Sequence, residues 1–354
     1  MARRSNNNIP HWDARRHRTS LNRSGVSLVE MLTVLAVVGL LVGLLLPAVQ
    51  ATRERARKAH CSNNLRQFGV ALHSFESVYD RFPPIDINNI PPGGSLTFVR
   101  NPHFPSAHYF LLPSLGQGEL YGSIDLDGDY WDSGSDPPTT TKNGAAMTRS
   151  IPAFICPSDR VPPGATSYLI SEGTLSGIMT PELAPPNSAL PGLGSTTSGK
   201  RASEVTDGHS QTVAFSERLV GDNDPATYTP WRDLAYVTPP TVPAPYLPDE
   251  LVNLCSSFVG PAQPHASYVG TGWLFHRVSC SSYNHMFSPN SRIPDCNLAP
   301  NRSGPTAYTS RSLHSQGAFS LYVDGAVRFT NESIDNAVWR AIGTISGGER
   351  EQAP

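Results

Sequence analysis

Val26 to Val49, VSLVEMLTVLAVVGLLVGLLLPAV, decides how this chain is laid out: its twenty-four residues carry one charge, Glu30, and one helix-breaker, Pro47. At ~1.5 Å rise per residue the run makes enough helix to cross a hydrocarbon core of ~30 Å, so it reads as a membrane span. Arg3, Arg4, Arg15, Arg16, Arg18 and Arg23 precede it against a single acid, Asp13. By the positive-inside rule they hold residues 1–25 in the cytoplasm and send everything after Val49 outward. A secretory signal has an apolar core of about 7–15 residues and is cut behind it. Val49-Gln50-Ala51 offers a small-residue site, but the run is too long for that class. A plain signal anchor fits the length and leaves Glu30 unexplained. An acid at mid-bilayer costs roughly 2.5–3.5 kcal/mol on insertion scales, so it needs a partner.

The junction Gly25-Val26-Ser27-Leu28-Val29-Glu30 puts that acid five positions behind Gly25. Basic leader, glycine, apolar residue and glutamate together resemble the processing site of type IV pilins and type II secretion pseudopilins. Pro47 resembles the proline that interrupts the helix in that superfamily. The resemblance implies cleavage after Gly25 and methylation of the new amine at Val26 by a prepilin peptidase/N-methyltransferase. It further implies packing with other pilin-like subunits through the apolar helix. Pro47 is expected to weaken that helix, because it removes the bond to the carbonyl of Gly43.

Cleavage there leaves 329 residues and takes the formal charge from −2 to −7, since the leader holds six Arg and one Asp. An acidic product argues against nucleic acid as a partner. Pro at 33 and Gly at 29 of 354 residues, with only 16% charged, imply many turns and a loop-rich β domain. Five cysteines, Cys61, Cys156, Cys255, Cys280 and Cys296, all lie on the outer side, where disulfides persist. None of their spacings gives C-x-x-C or a zinc-finger pattern, so neither a structural metal nor a cofactor is expected.

Helical character continues through ATRERARKAHCSNNLRQFGVALHSFESVYD to Pro83 and Pro84. Cys61, Leu65, Phe68, Leu72, Phe75 and Tyr79 are spaced 4, 3, 4, 3, 4, one narrow face to pack on a sheet. Arg53, Arg55, Arg57 and Lys58 read as a solvated face. Asp125, Asp127 and Asp129 resemble the start of a calcium loop, but the glycine comes at the fourth position (Gly128) and the last position would be Asp136. Ile151 to Asp159, IPAFICPSD, reads as a strand ending in a turn. Gly194-x4-Gly199-Lys200 is a near miss to a phosphate loop, spoiled by Arg201 where Ser or Thr would hold magnesium. Thr212 to Ser216 is a strand with Glu217 at its end. Ser320 to Val323 and Ala326 to Phe329 flank a two-residue Asp324-Gly325 turn, a strong hairpin signal. Asn331 or Ser333 is positioned to cap a short helix carrying Ile334, Val338, Trp339 and Ile342. Among the cysteines, Cys61 on the helix face pairs best with Cys156 behind the IPAFI segment, and Cys280 with its sequence neighbour Cys296. Cys255 is left as the odd thiol.

His314 is followed by nine residues and then Asp324-Gly325. With the processing junction, CSNNLRQFGVALHSF, the Cys-Pro-Ser-Asp at 156–159 and TDGHSQT at 206–212, this H-x9-DG arrangement resembles the bacterial family DUF1559 over nearly the whole chain. Family members join a prepilin-type N-terminus to an outer domain. The expected fold is therefore α+β and pilin-like: a long N-terminal helix, half membrane and half amphipathic, packed on a loop-rich antiparallel β domain. The divisions are a leader, 1–25, a helix, 26–82, with its membrane segment at 26–49, and an outer domain, 83–354. No G-x-S-x-G, H-E-x-x-H or Rossmann glycine run is present, so no enzyme is expected. His314 with Asp324 could hold a metal or relay a proton, but a histidine beside a hairpin more often donates a structural hydrogen bond. The function expected is that of a structural subunit in a surface filament or secretion pseudopilus. The other class is an extracytoplasmic module on an uncut anchor, binding a solute or polysaccharide.

Overall fold

The computed structural model describes residues 25, 27–84, 105–126, 142–174, 191–194, 199–237, 248–258, 264–274, 278–298 and 305–348. Val26, the leader arginines and the acidic positions Asp127, Asp129 and Asp136 lie outside them.

Helix α1 (Leu28–Tyr79) runs for 52 residues with Pro47 inside it. Its start is fixed by a reciprocal cap: Ser27 Oγ accepts from the Glu30 N–H (3.2 Å) and Glu30 Oε2 accepts from the Ser27 N–H (2.8 Å). Glu30 thus satisfies two orphan donors in concert with Ser27 and sets its charge against the positive end of the helix. The chain divides into two compact units, residues 1–53 and 54–354. In the first, every large apolar side chain from Leu28 to Val49 is exposed, from 45% to 78%. A core helix of a soluble domain would bury them. This one is long and apolar enough to cross a membrane.

In the second unit the rest of α1 buries Cys61, Leu65, Phe68 and Leu72 with Ser62, Asn64, Gly69 and Ala71. Phe75 packs at the core's margin, and Tyr79, on the same stripe, stays exposed against Phe75 because the helix ends there. Asp80, left-handed at φ 55°, terminates it. Phe68 is the centre of an aromatic group with Phe154, Tyr168, Phe215 and His108, at centroid distances of 5.1 to 5.7 Å.

That face lies over strands β1 (Tyr168–Ser171) and β2 (Val213–Glu217). Further along the chain come β3 (Leu234–Tyr236), β4 (His265–Ala266), β5 (Ser282–Tyr283), β6 (Cys296–Asn297), β7 (Thr306–Ala307), β8 (Gly317–Tyr322) and β9 (Val327–Asn331). One sheet has the order β5-β1-β2-β8-β9 and the other β4-β3-β6-β7. The sheets are mixed rather than purely antiparallel, since β1 pairs with β5, and β3 with β6, in parallel. Each of those pairs is far apart in sequence, which leaves chain for the crossover that parallel strands require.

Three local expectations change. Pro152–Phe154 is a 3-10 turn and not a strand, with Pro152 in the first position that its fixed φ favours. The β8–β9 hairpin has a three-residue loop, Val323 to Gly325: Leu321 opposes Val327, and the Tyr322 N–H donates to the Ala326 carbonyl. Gly325 supplies the left-handed residue (φ 85°) that such a loop needs. The closing helix (Asn336–Ala341) is capped by Asp335, whose carboxylate accepts from the N–H groups of Ala337 and Val338. Asn331 instead binds Ser333, one turn too early.

The cysteine pairing also changes. Cys255, on the buried face of the helix Pro248–Ser256, is bonded to Cys296 on β6, with a Cα separation of 5.5 Å. Cys280 is buried and takes part in neither disulfide. Sequence proximity misleads here: Cys280 sits just before β5 in the first sheet, whereas Cys296 is in the second.

Two buried histidines make the fold acid-sensitive. His108 contacts the Tyr168 carbonyl through Nε2 (2.7 Å), and burial pushes its pKa down to about 4. His285 contacts the Trp339 carbonyl through Nδ1 (2.8 Å), and burial pushes it down to about 3. A base whose folded pKa is depressed stabilises above its unfolded value of 6.5 and loses that contribution as pH falls. At ~1.4 kcal/mol per unit, each costs about 3 kcal/mol by pH 4. Asp233, raised by burial to about 6, opposes this by about 3 kcal/mol as it takes up its proton. The expected result is a loss of stability between pH 6.5 and 4, read from urea unfolding, that His285→Asn reduces by about 3 kcal/mol. A flat profile for the parent chain contradicts this.

Candidate functional site

The motif histidine marks the site. Three segments distant in sequence converge on His314, which follows β7 and precedes β8. Helix α1 delivers Glu54 and Cys61, seven residues and therefore two turns apart on one face. The 3-10 turn at Pro152–Phe154 leads into Cys156, tied to α1 where Asn64 Nδ2 donates to the Ile155 carbonyl (2.8 Å). Strand β2 ends in Glu217. Cys61 and Cys156 are bonded, with a Cα separation of 4.9 Å.

The imidazole stands at the middle. Its Nδ1 is 2.9 Å from Glu54 Oε1, while Nε2 faces Glu217 Oε1 at 3.4 Å and Cys156 Sγ at 3.7 Å. The side chains of His314 and Glu217 are 0% and 2% exposed, and Glu54, at 34%, is the member that reaches solvent. Glu217 Oε2 accepts from the Phe319 N–H (2.8 Å), which leaves Oε1 buried without a hydrogen-bond partner. Glu54 Oε2 accepts from Arg57 Nε (2.9 Å).

Burial alone would lower the His314 pKa, but Glu217 and then Glu54 outweigh it and raise the ring above its ordinary value. For Glu54, burial pushes up while the hydrogen bonds and charges of His314 and Arg57 pull down, and the net direction is down. The arrangement is an acid–imidazole–acid line running inward from the surface to a disulfide. A cavity of about 10 Å³, room for one water-sized molecule, adjoins it, lined by Cys156, Ser158, Ser167, Glu217 and Arg311.

The other half of the motif does something else. His314 lies just before β8 and Asp324 just past its end, one strand of ~20 Å apart, so they do not act together. Asp324 Oδ1 accepts from the Ala326 N–H (2.9 Å) and shapes the turn. Gly325 lies against α1 at Gly69, where an added Cβ would meet Leu321 at 3.0 Å and Gly325 at 3.5 Å. The nine-residue spacing is thus the length of a strand laid along α1, its His end at Glu54 and its Asp-Gly end at Gly69, ~23 Å further along the helix.

Of the other residues singled out from the sequence, Gly25 is exposed and precedes α1, and Glu30 and Pro47 lie within it. Cys280 and Cys296 belong elsewhere. Glu54 and Glu217 were not foreseen as site residues. The available signal was a glutamate closing the otherwise apolar strand VAFSE, an odd place for a charge unless something buried faces it.

The model of a family described as a protein of unknown function, DUF1559, matches residues 50–337. No curated protein and no solved structure matches the chain.

Proposed function

The chain belongs to the DUF1559 family, and from that premise we propose that it is a pilin-like structural subunit. It enters the cytoplasmic membrane by residues 26–49, is cut after Gly25 by a prepilin peptidase and methylated at Val26. Its apolar helix then packs against those of other pilin-like subunits, with the β unit outside.

One observation carries this reading. Gly25 is exposed and outside α1, and the Ser27–Glu30 cap closes the first turn directly behind it. A peptidase reads extended chain, so a cut after Gly25 spares both the helix and its cap. The exposed apolar half of α1 then needs a nonaqueous surrounding, lipid before assembly and sister helices after it. Leader arginines give the sidedness.

The test is mass spectrometry of the N-terminus of the native protein, with N-methylvaline at Val26 as the expected result. A chain beginning near Thr52 is a secreted product and refutes the proposal. An intact Met1 refutes it in favour of a solute- or polysaccharide-binding module on an uncut anchor.

A further inference from the structure

We propose that Cys61, Cys156, His314 and Glu217 form a redox-gated site for a thiolate-binding divalent cation of the zinc type. One ligand atom from each of the four buried residues lies within 4.8 Å of every other. A tetrahedral ion with bonds of ~2.3 Å to sulfur and ~2.0 Å to nitrogen and oxygen needs ligand–ligand edges of about 3.3–3.8 Å. Two such edges are already set, His314 Nε2 to Glu217 Oε1 at 3.4 Å and to Cys156 Sγ at 3.7 Å. The two sulfurs, now bonded to each other, must part to about 3.8 Å, and the other three of the six edges must settle from within 4.8 Å into the same range.

The surroundings are those of a metal ligand set. Glu54 takes His314 at Nδ1 (2.9 Å), which leaves Nε2 as the coordinating nitrogen, and a carboxylate behind a ligating histidine is the usual outer partner. Glu217 is held by one oxygen to the Phe319 N–H while Oε1, buried, faces His314 Nε2 at 3.4 Å without hydrogen-bond geometry. A buried carboxylate oxygen held only by that long contact would be met better by a cation at bonding distance. Two thiolates and a carboxylate leave −1 around a divalent ion. Arg218 and Arg311 with Asp295 between them carry a net +1, and both arginines line the cavity that Cys156 and Glu217 share.

The gate is thiol–disulfide exchange. A dithiol reductant breaks the Cys61–Cys156 bond, giving up two electrons and two protons and leaving as its own disulfide; the protein gains two thiols. The cation then displaces both thiol protons. In the oxidised chain the sulfurs bind each other and the ion is excluded. Four ligands scattered over 61, 156, 217 and 314 leave no sequence motif, which is why spacing gave no zinc signal.

The test is cobalt(II) titration of the full chain in detergent, before and after reduction by a dithiol that is then removed. Expected is one cobalt per reduced chain, with thiolate-to-cobalt absorption and tetrahedral bands, protection of both cysteines from alkylation, and no binding to the oxidised chain. Glu54→Gln is expected to weaken affinity about 10–100-fold with the tetrahedral spectrum retained. Glu217→Gln should weaken it by at least about tenfold. A reduced chain with unchanged circular dichroism that takes up no cobalt overturns the proposal. So does equal binding by the oxidised chain or by Cys156→Ser. If reduction unfolds the chain, failure of cobalt or zinc to restore the fold overturns it as well.

Discussion

Asp295→Ala is expected to destabilise the outer unit by about 3–5 kcal/mol, a large share of the roughly 5–15 kcal/mol that holds a domain folded. Asp295 Oδ2 accepts from Arg218 Nη2 at 2.7 Å and Arg311 Nε at 2.6 Å, and Oδ1 accepts from the Thr309 N–H at 3.0 Å. All three charged side chains are 0% exposed. Removing the acid leaves two guanidiniums in the interior with no counter-charge. Their carbonyl partners, Ser291 and Ile293 for Arg311 and Trp231 for Arg218, satisfy donors and neutralise nothing. The loss is also topological. Arg218 follows β2 of one sheet, while Asp295 and Arg311 flank β6 and β7 of the other, so the triad fastens the sheets together. Urea unfolding of the full chain in detergent measures this, and a midpoint within about 1 kcal/mol of the parent would mean that the triad is not what holds them. Replacing all three residues by apolar ones of similar volume should recover most of the loss, because a buried ionic group competes poorly with good apolar packing.

Glu30→Gln is expected to leave cleavage after Gly25 largely intact and to reduce incorporation into filaments to background. This rests on the pilin-like reading. Glutamine keeps an acceptor oxygen for the Ser27 N–H and serves in a capping box, so the start of α1 survives and only the charge is lost. Cleavage creates a positive amine at Val26, one turn from residue 30, in a fibre core that is dry. A lone ion there costs roughly several kcal/mol, and Glu30 of an incoming chain would neutralise the amine of its neighbour and fix the axial register. The measurement is the assembled fraction from cells that make only the Gln variant, alongside mass spectrometry of its N-terminus. Normal filaments sink the mechanism; an uncut precursor would move the role of Glu30 to processing.

What the sequence settled by itself follows from local physics. Twenty-four residues with a single charge make a helix long and apolar enough to cross a membrane, and that much follows from the run alone. The stripe from Cys61 to Phe75 needed nothing more than the 3.6-residue period to name the buried face. Strand β2 and the β8–β9 hairpin were legible from alternation and from Asp324-Gly325, though the loop is one residue longer than the dipeptide suggested. Single residues that read as strong local signals were less decisive. Asn331 and Ser333 had the chemistry of a cap, but the helix starts behind Asp335, where Trp339 can reach the core.

What only the tertiary structure decided is everything that depends on which distant segments become neighbours. Cys280 and Cys296 are close in sequence, but Cys280 leads into a strand of one sheet and Cys296 lies in the other, where it is bonded to Cys255. His314 was visible as a motif residue, yet its partners Glu54, Cys156 and Glu217 come from a helix, a turn and a strand whose spacing encodes no contact. Periodicity tells which side of an element faces inward because that depends on bonds a few residues apart. Which buried side chains then meet is set by how whole elements pack, and at His314 that packing brings two acids and a disulfide against one imidazole.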